Sequence, residues 1–176
     1  MSNRPTGRGT AGVADDNDKE TVKLANAAGG LVVNFGGLEL QTYFYLELLR
    51  GGGQWPSDLV GKNRKPFAIR ADMVISELKA SRLQSAILDE ALAAWDLAKE
   101  YAKSRNIILH SPVLHSWIDK PAEGPPILVG FADVGHADKG QCPNISADSV
   151  DKFSDQVRRL VLEIVRVYDR LKKAQS

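Results

Sequence analysis

The residues of this chain best suited to chemistry lie at Ser104-Arg105-Asn106-Ile107-Ile108-Leu109-His110. Arginine is a permanent cation whose planar fork can hold a phosphate or stabilise a phosphorane-like charge. Histidine titrates near neutrality, so it can take a proton from a ribose 2′-hydroxyl or give one to a leaving oxygen. Asn106 can orient either group by hydrogen bonding. Together Arg105, Asn106 and His110 suffice for metal-independent cleavage of RNA. Their spacing restricts the geometry. Five residues turn a helix through about 500°, or 140° net, so Arg105 and His110 do not share a face of an unbroken helix. They converge through a distortion of the helix or across a symmetric interface between two copies. The plain alternative is an ordinary helix end, since arginine suits the last turn and asparagine a C-terminal position.

A second stretch carries positive charge. Lys62, Arg64, Lys65 and Arg70, followed by Lys79 and Arg82, stand against Asp72 and Glu77. Such a patch suits phosphate or RNA contact, and equally a solvated loop and helix face. It has no aromatic-interleaved RNA-binding signature. Gly7-Arg8-Gly9-Thr10-Ala11-Gly12 matches G-x-G-x-x-G. The dinucleotide motif needs a preceding strand and a following helix, and the sequence suggests neither around this run. No phosphate-binding G-x-x-x-x-G-K-[ST] loop occurs. His110, His115, His136 and Cys142 are spaced unlike the usual pairs of zinc ligands. No metal and no cofactor is expected, and Cys142 reads as a structural thiol.

The elements that must position these residues follow from periodicity. In 176 residues, 23 Lys+Arg balance 22 Asp+Glu for a net charge of +1, with 43% hydrophobic and 26% charged residues. That is an ordinary single globular domain, not a histone-like polyanion binder. A lone cysteine excludes an internal disulfide framework. No apolar run is long enough for a membrane span, no secretory leader is visible, and a cytoplasmic location is expected. The Asn144-Ile145-Ser146 sequon is then without consequence. Residues 1–20, rich in Gly, Asp, Arg and Thr, read as a disordered tail before a single domain over 21–176. Leu31, Phe35, Leu38, Thr42, Tyr45 and Leu49 step by four and three along one helix face. Gly36-Gly37 interrupt it, which predicts a kink or a close neighbour, and Gly51-Gly52-Gly53 end it.

A short helix is predicted over about 67–80, with Ile69, Met73 and Leu78 inward. A longer one is predicted over about 83–104, with Ile87, Ala91, Ala94, Trp95, Ala98 and Ala102 on one face; Pro112 stops it at or before Ser111. Residues 113–145 contain short β-like runs and read as a β-hairpin or irregular insertion. Ser146 reads as an N-cap with Asp148 in the first turn. Val150, Phe153, Val157, Leu160, Ile164, Val167 and Leu171 then form a heptad seam. The fold class is all-α, an up-and-down helical bundle of four to five helices with that insertion before the last helix.

With its helices placed before and after Arg105-Asn106-Ile107-Ile108-Leu109-His110, the chain resembles the HEPN superfamily. These are small helical bundles with an R-x4–6-H motif, often R-N-x-x-x-H. Val33-Asn34-Phe35-Gly36-Gly37-Leu38-Glu39 resembles their first-helix pattern, and the likeness covers about residues 24–172. The resemblance implies a homodimeric ribonuclease of the toxin or phage-defence kind, with RNA as partner and an antitoxin or other regulatory protein as controller. Arg105 would hold the phosphate, His110 would do acid–base work, and Asn106 would orient them. Glu39 would be a supporting carboxylate near Phe35, Thr42 and Tyr43, paired with Arg105. Some such families carry a tyrosine two residues after the histidine, where this chain has Pro112. The alternative is a noncatalytic interaction or sensor module that uses the same dimer and a groove near Trp117 and Phe131.

Overall fold

A computed structural model describes residues 11–52, 65–81, 85–110, 113–115, 129–132 and 144–175. Four helices dominate them: α1 (Ala11–Leu49), α2 (Phe67–Ala80), α3 (Ser85–His110) and α4 (Ala147–Gln175). Three short strands lie between α3 and α4: β1 (Val113–His115), β2 (Val129–Ala132) and β3 (Asn144–Ile145). They pair antiparallel in the order β1-β2-β3, with Leu114 opposite Gly130 and Phe131 opposite Ile145. This differs from a simple hairpin, because the two residues leading into α4 pair with the free edge of β2.

Local chemistry accounts for the helix ends. At the end of α1, Gly51 and Gly52 take positive φ angles of 86° and 75°. Gly52 N donates to Glu47 O at 2.9 Å and Gly51 N to Leu48 O at 3.3 Å, the two bonds of a Schellman stop. Ser146 caps α4, its Oγ accepting from Ser149 N at 3.3 Å, and Asp148 lies in the first turn. α1 begins at Ala11, within the stretch expected to be a tail. Ala11 and Ala14 are strong helix formers, and Asp15 and Lys19 have the supportive i,i+4 spacing. The helix therefore begins within the glycine-rich run at 7–12, and residues 1–10 lie outside those described.

The core sits where the seams meet. Val150, Val157, Leu160, Ile164, Val167 and Leu171 of α4 are buried, as are Leu31, Phe35, Leu38, Thr42 and Tyr45 of α1. Tyr45 hydroxyl donates to Ile164 O at 2.8 Å, its ring meets Trp95 edge-on at 5.1 Å, and burial pushes its phenol well above the ordinary range. α1 runs unbroken through Gly36-Gly37. The close neighbour there is Val161 of α4, whose methyl groups would lie 3.3 Å from a Cβ at Gly37. In α2 the inward residues are Phe67, Arg70, Ala71, Val74, Ile75 and Leu78. Ile69, expected inside, is 47% exposed, and Met73 is half-buried. Phe67 moves the buried stripe half a turn from the one that Ile69 and Met73 suggest.

The helix directions overturn the up-and-down order. Asn34 donates to Ser154, Gly37 faces Val161, and Phe44 meets Tyr168, so numbers rise together and α1 and α4 are parallel. Phe35 packs on Phe67 and Arg50 pairs with Glu77, so α2 is parallel to α1 as well. Only α3 runs the other way, with Arg105 beside Phe35 and Trp95 beside Tyr45. Exposed ion pairs Lys99–Asp72 and Arg170–Glu90 join α3 to α2 and α4. The physical reason lies in the connections. Phe67 stands about 14 residues, or ~21 Å, back along α1 from Leu49. Residues 50–66, at about 3.3 Å per extended residue, are ample for that return. Alternation is required only of short links.

Replacing Ile164 by Ala removes a fully buried branch from the α1–α4 seam. The expected loss is about 2–5 kcal/mol, whereas exposed Ile69→Ala changes stability by less than about 0.5 kcal/mol. Chemical denaturation of the two variants measures both.

Candidate functional site

α1, the start of α2 and the end of α3 enclose a cavity of about 390 Å³. Its lining includes Phe35 and Glu39 from α1, and Lys65, Pro66, Phe67, Ala68 and Arg70 from the start of α2. Ala102, Arg105 and Asn106 come from α3. The opposed directions of α1 and α3 create this meeting point. Phe35 sits one turn before Glu39, and the last turns of α3 descend beside it. Three cations and one carboxylate line the space, an electrostatic balance that favours an anion.

Arg105 is half-buried. Its guanidinium lies over the Phe35 ring with Cζ 5.1 Å from the centroid. Nη1 donates to Asn106 Oδ1 at 3.0 Å, and Nε is buried without a hydrogen-bond partner. Asn106 itself is exposed at the rim.

Arg70 differs from its expected place in a surface patch. Its residue is only 1% exposed. Nη2 pairs with Glu39 Oε2 at 3.2 Å, Nη1 donates to the Tyr43 hydroxyl, and Cζ lies 4.9 Å over the Tyr43 ring. Burial pulls this guanidinium down from its ordinary value, and the Tyr43 contact opposes that shift. Nε of Arg70 is also buried without a partner. Glu39 is half-buried, and its ion pair is with Arg70 rather than Arg105. The cause is reach: Arg70 enters from the apolar stripe of α2, level with the Glu39 turn of α1.

Of the residues singled out from sequence, Glu39, Lys65, Arg70, Arg105 and Asn106 share the cavity. Lys62, Arg64 and Arg82 lie outside the described residues, and so do His136, Cys142 and Trp117. Lys79 is exposed near the other end of α2. The backbone of α3 is helical through His110, so positions 105 and 110 stand about 140° apart around its axis. Position 110 falls one turn beyond Asn106, about 40° round. The His110 side chain lies outside those described.

Sequence reasoning missed Phe67 as a wall of the cavity and Tyr43 as the second partner of Arg70. A signal for Arg70 was present. It falls inside the 67, 71, 74, 75, 78 spacing of buried residues, where a charge must be paired. Among the described residues, no group of three or more His, Cys, Asp or Glu side chains could hold a metal ion. No described helix is long and apolar enough to cross a membrane.

These features define a helical-bundle protein with a cation-rich cavity at the junction of three helices. No family model, curated protein or solved structure matches the chain.

Removing one member of a buried ion pair leaves the other without its counter-charge. Arg70→Met is therefore expected to cost about 3–5 kcal/mol, and the double variant Arg70→Met/Glu39→Leu to recover part of that loss. A double-mutant cycle by thermal denaturation measures the coupling.

Proposed function

We propose that this chain is a metal-independent endoribonuclease of the HEPN type, acting as a homodimer in a toxin or phage-defence setting. The observation that carries the reading is the cavity in which Arg105, Asn106, Lys65 and the Glu39–Arg70 pair meet. Lys65 and Arg105 attract a backbone phosphate into the cavity. Arg105, braced on Phe35 and by Asn106, turns its guanidinium to the phosphate and stabilises the charge that builds there. Arg70 neutralises Glu39, so the carboxylate does not repel the anion.

His110 moves the protons. As the base it removes the ribose 2′-hydroxyl proton, and the 2′-oxygen attacks phosphorus. The 5′-oxygen leaves and is protonated by the conjugate acid, giving a 2′,3′-cyclic phosphate and a 5′-hydroxyl. Because positions 105 and 110 stand on different faces of one helix, Arg105 of one subunit works with His110 of the other. RNA is the substrate, and an antitoxin or other regulatory protein restrains the enzyme.

Incubating the purified protein with a mixed RNA pool in EDTA tests the reading. Wild-type protein is expected to cleave. Arg105→Ala and His110→Ala are each expected to lose at least about 100-fold in rate, the scale of one acid–base group. Asn106→Ala is expected to lose less. Cleavage that survives in His110→Ala, or none by a folded wild-type protein, overturns the proposal.

A further inference from the structure

The outward face of α1 carries a second message. Residues 24–38 contain no charged side chain, although one side of this helix is exposed. Val22, Val32, Val33 and Leu40 are 58%, 49%, 75% and 44% exposed. Between them Gly29 and Gly36, seven residues apart, face open space. The other glycine pair of α1, Gly30 and Gly37, has the same spacing and faces Ser154 and Val161 of α4. There glycine lets a parallel helix come close. Among the described residues Gly29 and Gly36 have no such neighbour, and glycine is a poor helix former. A solvated helix face is normally rich in charge, and an exposed apolar strip of this length marks an interface.

We infer that this face binds a second copy of the chain through an antiparallel α1–α1 contact centred beside Val33. Symmetry and charge together identify the occupant. A two-fold contact sets each central residue near its own copy, so charges at the centre would confront like charges. The centre of this strip has none. Lys19, Asn26, Val33, Leu40 and Glu47 recur every seven residues along it. Reversing the helix about Val33 sets Lys19 against Glu47 and Asn26 against Leu40. A parallel pairing would instead set Lys19 on Lys19 and Glu47 on Glu47. The same reversal brings Gly29 within one residue of the partner's Gly36, where the backbones can approach closely.

Phe35 and Glu39, which line the cavity, lie within two turns of the crossing. Val33 and Phe35 stand about 160° apart around α1, so this contact is separate from the cavity face, rests on α1 alone and needs no nuclease activity.

Size-exclusion chromatography with light scattering of the full chain tests the contact without RNA. Wild-type protein is expected at twice its 19.2 kDa mass. Val33→Lys is expected to run as a folded monomer, and Leu162→Lys, on an exposed part of α4, as a dimer. Orientation is read by disulfide trapping in a Cys142→Ser background. Val33→Cys is expected to cross-link to itself. Asn26→Cys is expected to cross-link to Leu40→Cys protein and not to itself, because positions 26 lie far apart in an antiparallel pair. A monomeric wild type, or a Val33→Lys dimer as stable as wild type, overturns the contact and leaves the face to another occupant. Self-linking of Asn26→Cys overturns the antiparallel arrangement. A Val33→Lys protein that stays dimeric and cleaves RNA overturns this contact alone, because the nuclease reading needs two copies but not this face.

Discussion

A guanidinium buried in the apolar stripe of α2 constrains the whole region around the cavity. Arg70 cannot reach bulk water, and an uncompensated charge there would oppose folding. Its compensation comes entirely from one neighbour: Glu39 supplies the counter-charge, and Tyr43, one turn along α1, supplies an acceptor and a ring face. Both partners must be level with Arg70. That requirement sets the height of α2 along α1 and places Phe67 against Phe35. Pro66 and Lys65 then form one wall of the gap, and the end of α3 forms another. The cavity is thus a consequence of where a buried ion pair lets α2 sit.

The α1–α4 pair supplies the rigid frame against which α2 and α3 are placed. Gly29, Gly30, Gly36 and Gly37 in the interior of α1 each weaken it by about 1 kcal/mol relative to alanine. Two of them let α4 pack closely enough to bring Ser154 and Val161 onto the α1 backbone. The gain is the continuous seam from Val150 to Leu171, with Tyr45 tied to a carbonyl of α4. This parallel contact leaves α3 as the one helix running in the opposite sense. Its C-terminal end, with Arg105, therefore meets the middle of α1 rather than its end.

The faces of the helices were legible in the sequence, but their directions were not. The steps of three and four through Leu31–Tyr45 and Val150–Leu171 mark buried stripes because a helix repeats every 3.6 residues. The stripe is the same whichever way a helix runs. Direction came from the long connection over 50–66 and from specific pairs such as Arg50–Glu77. The α2 stripe was misjudged for a related reason. Ile69 and Met73 lie within about 40° of each other on one face, while Phe67, Arg70, Val74 and Leu78 fit another, and size and pairing decide between them. In the site, Arg105, Asn106 and Glu39 could be picked out by residue type and spacing. That Glu39 meets Arg70 depends on packing between two helices, which spacing along one helix cannot encode.

The electrostatics of the cavity also divide its cations by role. Arg70 is held by Glu39 and Tyr43 and is almost without exposure, so its charge shapes the field more than it meets a ligand. Arg105 is only half-buried, and its anchors are an aromatic face and a neutral amide. Neither neutralises it. Its full charge is available to an entering anion. Helical continuity to His110 then bears on how many chains the chemistry needs. One α3 presents its cation and position 110 on different sides. A phosphate that needs both groups at once is best placed between two copies, each giving the face the other lacks. Under the proposed mechanism, association is therefore part of the active site itself, because a single chain cannot bring both functional groups to one phosphorus atom without bending α3.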